Sequence, residues 1–133
     1  MEMDRRSPSP RTALVVEDDQ HLLNMLQDVL EDAGFETTAV DHGSPAMTLL
    51  AERHFDVLLV DVNLPDINGL VICDTARERY QDQIAILVIA GRNIERWGVW
   101  SFQLGADDFL GKPFHLDELI ARIESKLRRA PKS

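Results

Sequence analysis

Val57-Leu58-Leu59-Val60-Asp61-Val62-Asn63-Leu64-Pro65-Asp66 is the stretch that decides the fold. Val57 to Val60 is apolar without alternation, as a strand buried on both faces must be, and that is the condition of a central strand in a parallel sheet covered by helices. Asp61 follows directly, and Asn63 to Asp66 turns the chain, so an acid stands at the carboxyl end of the strand. Downstream, Gly69 to Tyr80 predicts a helix and Ile84 to Ile89 a second non-alternating strand. Upstream, Ala13 to Val16 predicts the first strand. The helix from about Gln20 to Ala33 carries Leu22, Leu26, Val29, Leu30 and Ala33 on one side, and Gly34 stops it. Glu36 to Val40 reads as a strand. Ser44 then reads as the N-cap, with Pro45 at the first position of a helix carrying Ala46, Leu49 and Leu50. Beyond Ile89 come a helix from about Ile94 to Leu104 and a short strand Asp108-Phe109-Leu110. A last helix places Leu116, Leu119, Ile120, Ile123 and Leu127 at helical spacing.

Five strands alternating with five helices imply right-handed crossovers and an α/β fold with one parallel sheet covered on both faces. The chain of 133 residues suits one domain with a sizeable core. Met1 to Arg11, with its Ser-Pro-Ser-Pro run, buries nothing and is expected to be a flexible N-terminal segment; residues 12–129 form the domain, and 130–133 are a tail or the start of a linker. Asp and Glu total 23 against 14 Lys and Arg, a formal charge of -9, so direct binding to nucleic acid or an anionic membrane is not expected. The single Cys73 forms no internal disulfide and reads as core. With no secretory segment and no apolar run near ~20 residues, the expected location is cytoplasmic. His21, His42, His54 and His115 show no metal-ligand spacing. Arg128, Arg129 and Lys132 read as helix C-terminal cations or the beginning of a linker.

In an open parallel sheet, ligands sit beyond the carboxyl ends of the strands, which directs attention to Glu17 to Asp19, Asp61, Ala90 to Arg92 and Gly111 to Pro113. Glu17, Asp18 and Asp61 converge on one edge. Like charges so close either raise one another's pKa or recruit a cation, and an all-oxygen set suits Mg2+. Asp19 reads equally as the N-cap of the first helix. Lys112 reaches the same rim. A carboxylate nucleophile, metal-binding carboxylates and a lysine are the parts needed for phosphoryl transfer to an aspartate.

Three segments together, Val15-Val16-Glu17-Asp18-Asp19, Leu59 to Gly69 and Gly105-Ala106-Asp107-Asp108-Phe109-Leu110-Gly111-Lys112-Pro113-Phe114, resemble the motifs of response-regulator receiver domains, the signalling domains of two-component systems. The resemblance covers about Thr12 to Arg129. It implies a flavodoxin-like, doubly wound (βα)5 fold like that of chemotaxis regulators, with strand order 2-1-3-4-5. It further implies that Asp61 is the phosphoacceptor, served by a sensor histidine kinase or a phosphotransfer protein. Asp18 and Asp61 would bind Mg2+ directly, Glu17 through water, and Asn63 through its backbone carbonyl. Lys112 would contact the phosphoryl group, with a cis bond before Pro113. The implied role is a phosphoacceptor signalling domain, not a separate enzyme.

One position departs from the family. Where its members carry Thr or Ser at the end of the fourth strand, this chain has Ala90, and the coupled aromatic position is Phe109, without a hydroxyl. The expectation is an Asp61 that accepts phosphate, helped by the backbone N–H of Gly91, with a weakened or rerouted structural response. Asn63 and Arg92 stand where family members tune dephosphorylation. On the fourth helix, Val99 and Phe102 share one face; Ile94, Trp97, Trp100 and Leu104 share the other and form a candidate interface for a homodimer or a partner.

Three alternatives compete. A haloacid-dehalogenase-type phosphatase wants a second Asp where Asn63 stands, and a cap domain besides. A nucleotide-binding module wants a phosphate loop where Glu17-Asp18-Asp19-Gln20 stands. The stronger competitor is a degenerate receiver acting as a phosphorylation-independent interaction module, for which Ala90 argues and Asp18, Asp61 and Lys112 argue against.

Overall fold

The computed structural model describes residues 11–91 and 94–128, Ile94 in its backbone alone. The elements run β1 (Thr12–Val16), α1 (Gln20–Asp32), β2 (Glu36–Val40), α2 (Gly43–Glu52), β3 (Val57–Asp61), α3 (Gly69–Tyr80), a short 3-10 turn (Gln81–Gln83), β4 (Ala85–Ala90), α4 (Ile94–Gln103), β5 (Asp108–Gly111) and α5 (Leu116–Arg128). All four strand pairings are parallel, in the order β2-β1-β3-β4-β5. The expected fold and strand order are those observed. The expected N-terminal segment before Arg11, the tail after Arg128 and Arg92 lie outside the described residues.

Strand alternation builds two cores. Leu14, Val16, Leu58, Val60, Ile86, Val88 and Ala90 point to the face covered by α2, α3 and α4. Ala13, Val15, Val57, Leu59, Leu87, Ile89 and Leu110 point to the face covered by α1 and α5. Every residue of β3 and β4 is buried, which is why these strands show no polar alternation. Each of their buried Val, Leu and Ile side chains contributes about 1.5–3 kcal/mol by its removal from water.

The sequence reading needs adjustment in three places. On α1 the buried stripe is Leu23, Leu26 and Leu30, with Leu22 and Val29 at its edges and Ala33 an exposed cap residue, so the face is turned by about one residue from the expected one. Gly34, at φ +100°, ends the helix as expected.

The second concerns α2. Ser44 is not its N-cap: the helix starts two residues earlier than expected, at Gly43, and the capping position, His42, makes no side-chain cap hydrogen bond. Asp66, far along the chain, accepts from Gly43 N–H (2.7 Å) and Ser44 N–H (2.8 Å) instead. Gly43 permits this approach, since a Cβ there would stand 2.9 Å from Ile67 Cβ.

The third concerns α4. Trp97 and Leu104, expected on an outward face, pack against the core, while Val99, Trp100 and Phe102 are exposed. On the inward side Ser101 is fully buried, and Gly98 lies over Phe109, whose ring a Cβ there would meet at an ordinary contact distance of 3.6 Å. Gly98 and Ser101 lie on the face that meets the sheet, with the core-packed Trp97 and Leu104 on the same inward side. The Ile94 side chain, the fourth member of the expected interface, lies outside the described residues.

At the end of the sheet opposite Asp61, Arg77 at the close of α3 donates to Gly105 O (2.9 Å), Ile84 O (3.0 Å), Gln81 O and Asp107 Oδ2 (2.6 Å). Asp107 Oδ2 also accepts from Ile86 N–H at 2.8 Å, so one ion pair ties α3, β4 and the turn before β5.

Candidate functional site

Asp61 ends β3, the central strand, at the carboxyl end of the sheet. Its side chain is 2% exposed, yet both oxygens have partners. Oδ2 accepts from Lys112 Nζ at 2.6 Å and Oδ1 from Asn63 N–H at 2.9 Å. Lys112 arrives from the turn after β5, where its own N–H donates to Ala90 O at 2.8 Å and the following Lys112–Pro113 bond is cis, as expected.

Glu17 follows β1 and is fully buried. Its Oε2 accepts from Asp19 N–H at 3.0 Å and from Lys112 Nζ at 3.2 Å. The same Nζ lies 3.1 Å from Oε1 but outside hydrogen-bonding geometry, so Oε1 has no donor among the described residues. Burial, reinforced by the Asp61 charge, raises the Glu17 carboxyl from an ordinary 4.5 to about 7 despite the hydrogen bonds from Asp19 and Lys112. For Lys112, burial pulls the pKa down, but the hydrogen bond and charge of Asp61, then those of Glu17, outweigh it and leave the ammonium above its ordinary value. One cation therefore serves two buried acids.

Carboxylate oxygens of Glu17, Asp18 and Asp61 lie within 4.8 Å of one another, with Asp18 on the exposed side. Three hard oxygen donors, one of them a buried atom without a hydrogen bond, open to solvent on one side, fit a divalent cation that keeps part of its water shell. Asp18, Asn63, Asp66 and Asn68 all line one depression of about 330 Å³. Asp19 does cap α1, accepting from Leu22 N–H at 3.1 Å.

Gly91, which follows β4, sits beside the site: a Cβ on it would meet the Lys112 stem at 3.6 Å. Ala90 is fully buried, and Phe109 is half-buried under Gly98. Next to Lys112 an apolar groove of about 480 Å³ opens between α1 and the turn after β5, lined by Leu22, Met25 and Phe114. Asp66 was absent from the expected site. Its place in the site depends on Gly43, 23 residues earlier, and no local pattern reports that.

Residues 13–124 match the family model described as the response regulator receiver domain. The chain belongs to this family. Among curated relatives, this receiver domain is 37% identical over 125 residues to the transcriptional regulatory protein GltR of Pseudomonas aeruginosa, covering 93% of this chain and 52% of the relative. It is 38% identical over 117 residues to the transcriptional regulatory protein CpxR of Escherichia coli K12, covering 88% of this chain and 49% of the relative. The chain thus spans about half the length of the curated relatives it matches. In three dimensions the receiver domain resembles the non-phosphorylated HemR receiver domain of Leptospira biflexa, with a TM-score of 0.83 and 28% identity, over 92% of this chain and 98% of that one. Among the described residues no helix is long and apolar enough to cross a membrane.

Proposed function

We propose that this receiver domain accepts a phosphoryl group on Asp61 from a sensor histidine kinase or a phosphotransfer protein, in a Mg2+-dependent reaction in the cytoplasm. The observation that carries the reading is the contact of Lys112 Nζ with Asp61 Oδ2 at 2.6 Å within a cluster of acids that includes Glu17 Oε1, a buried oxygen without a hydrogen-bond donor among the described residues. In the transfer, an Asp61 carboxylate oxygen forms a bond to phosphorus as the N–P bond of a phosphohistidine breaks. The electron pair of that bond returns to the imidazole nitrogen, leaving a neutral ring when the other nitrogen is protonated. Lys112, whose charge is secured by its two acids, passes from the carboxylate to the transferred oxygens, and the Gly91 N–H donates to one of them. Asp18 and Asp61 directly, Glu17 through water and the Asn63 carbonyl would hold Mg2+, which supplies further neutralisation of the same oxygens. Residues 12–129 constitute the working unit, a phosphoacceptor and not a separate enzyme, and the exposed apolar residues of α4 are a candidate surface for a second copy or a partner.

Ala90 favours a second reading for the consequence of phosphorylation. Its buried methyl group offers no hydroxyl to a phosphoryl oxygen, so the response is weakened or rerouted relative to the family, down to a module that works without phosphate. The test is incubation with acetyl phosphate and Mg2+, followed by intact mass and amide NMR spectra. One added phosphoryl group on the wild type and none on Asp61→Asn supports the first reading. No mass gain on the wild type selects the phosphorylation-independent module. Gain with spectral changes confined to the neighbourhood of Asp61 establishes the weakened switch.

A further inference from the structure

The loop between β3 and α3 carries Asn63 and is held at two points. At its base, Gly69 N–H donates to Val62 O at 2.9 Å and Asn63 pairs with Asn68 as a single antiparallel bridge, closing the loop into a narrow ring. At its tip Asp66 takes the N–H groups of Gly43 and Ser44 with its two oxygens, beside Leu64 and Ile67, which pack against the core. The first turn of α2 has few donors to offer, because Pro45 has none, and Asp66 satisfies two of the remaining three. The Gly43 hydrogen bond, which together with that of Ser44 outweighs the opposing effect of desolvation, keeps the Asp66 carboxyl below the ordinary carboxylate range, so both oxygens can accept. Helix α2 contributes no ligand of its own to the acidic site. What it supplies is a fixed post.

We infer that Asp66 is a positioning residue for the divalent metal site: by tying the loop tip to the N-terminus of α2, it keeps Asn63 at the depression it shares with Asp18. The inference rests on the proposed Mg2+ site. The tie lies at the depression itself, since Asp66 and Asn68 line it together with Asp18 and Asn63. Released from α2, the loop keeps its base and the packing of Leu64 and Ile67 but loses the polar restraint at its tip, and the ligand set must then be ordered more fully at the moment of metal binding. That ordering is entropic and appears as weaker affinity.

The test uses Mn2+ as the probe, its free concentration read by electron paramagnetic resonance, on the whole chain without phosphodonor. Asp66→Ala is expected to weaken Mn2+ binding about tenfold, the scale on which supports of metal ligands act. Asp66→Asn carries the same charge as Asp66→Ala but keeps an acceptor, so it is expected to fall between that variant and the wild type. His42→Ser, added to Asp66→Ala, separates positioning from stability. The introduced hydroxyl caps Ser44 N–H locally and restores the melting temperature lost with Asp66, while the loop stays untied and affinity stays low. Recovery of Mn2+ affinity together with stability in the double variant overturns the inference, as does a loss of less than about threefold in Asp66→Ala against that tenfold scale. Failure of the underlying reading looks different: wild type and Asp18→Asn then bind Mn2+ equally poorly.

Discussion

Gly69 passes so close beneath Asp61 that a Cβ on it would stand 2.0 Å from the Asp61 carbonyl oxygen and 2.8 Å from the carbonyl carbon. The start of α3 is thereby pressed against the backbone of the residue at the centre of the site, and Asn68 caps that helix by accepting from Leu70 N–H at 2.8 Å. Backbone atoms of β3 cannot retreat, since β3 is paired on both sides with β1 and β4.

Gly69→Ala is therefore expected to lose about 3 kcal/mol or more, the upper end of what overpacking costs, even though alanine is the better helix former. Urea unfolding monitored by far-UV circular dichroism checks it. A variant as stable as the wild type would mean that the approach of α3 to Asp61 is looser than described. A smaller effect on stability accompanied by lost phosphorylation would place the strain in the site alone.

The rotation of α4 makes opposite demands on its two tryptophans. Trp97 packs on the core under a T-shaped contact with Trp100 (centroids 6.2 Å apart), whereas Trp100 is 55% exposed. Trp97→Ala is expected to cost about 2 kcal/mol, less than a fully buried tryptophan because part of the ring is wet. Trp100→Ala is expected to stay within about 0.5 kcal/mol of the wild type. Equal losses would put both rings in the core and contradict the rotation. Sedimentation of Trp100→Ala beside the wild type reads, in the same experiment, whether the exposed face joins copies of the chain.

What the sequence made legible, and what it hid, follows from the range of the interactions. Val57 to Val60 and Ile84 to Ile89 announce doubly buried strands because every residue must be apolar there, and five such alternations leave few topologies. The acids and Lys112 meet because the carboxyl ends of parallel strands share an edge, so adjacency in the sheet substitutes for adjacency in sequence. The cap on α2 escaped because its acceptor comes from another loop; Ser44-Pro45 mimics a local cap that the chain does not use. The face of α4 escaped for a different reason. Large apolar residues stand on both sides, two on one and four on the other, while Gly98 and Ser101, which lie on the inward side, carry almost no hydrophobic signal.

Cys73 lies fully buried on α3, with its Sγ donating to Leu104 O at 3.5 Å. Burial pushes the thiol up to about 12, so almost none is thiolate at pH 8. Ellman's reagent is expected to leave the native protein unlabelled at that pH and to label it fully in denaturing urea. Labelling under native conditions then proceeds at the rate of global opening, and fast native labelling would show that the α3–α4 seam opens on its own.

Glu17 gives the pH dependence its sign. In the folded, metal-free protein its carboxyl titrates near 7, against an ordinary 4.5, so between these values the folded state holds a proton that the unfolded chain has released. Stability must fall with rising pH wherever the native state binds more protons. The contribution of Glu17 is thus fully present below about 4.5 and lost as the pH passes through 7. Glu17→Gln carries no such proton, and in EDTA the wild type is expected to lose ground to this variant steadily from pH 4.5 to pH 7.5. Urea melts at half-unit intervals measure the difference directly, with the shared titration of all other groups cancelling between the two proteins. A difference that stays flat, or that grows in favour of the wild type, would mean that Lys112 holds Glu17 ionised throughout, with burial the weaker influence.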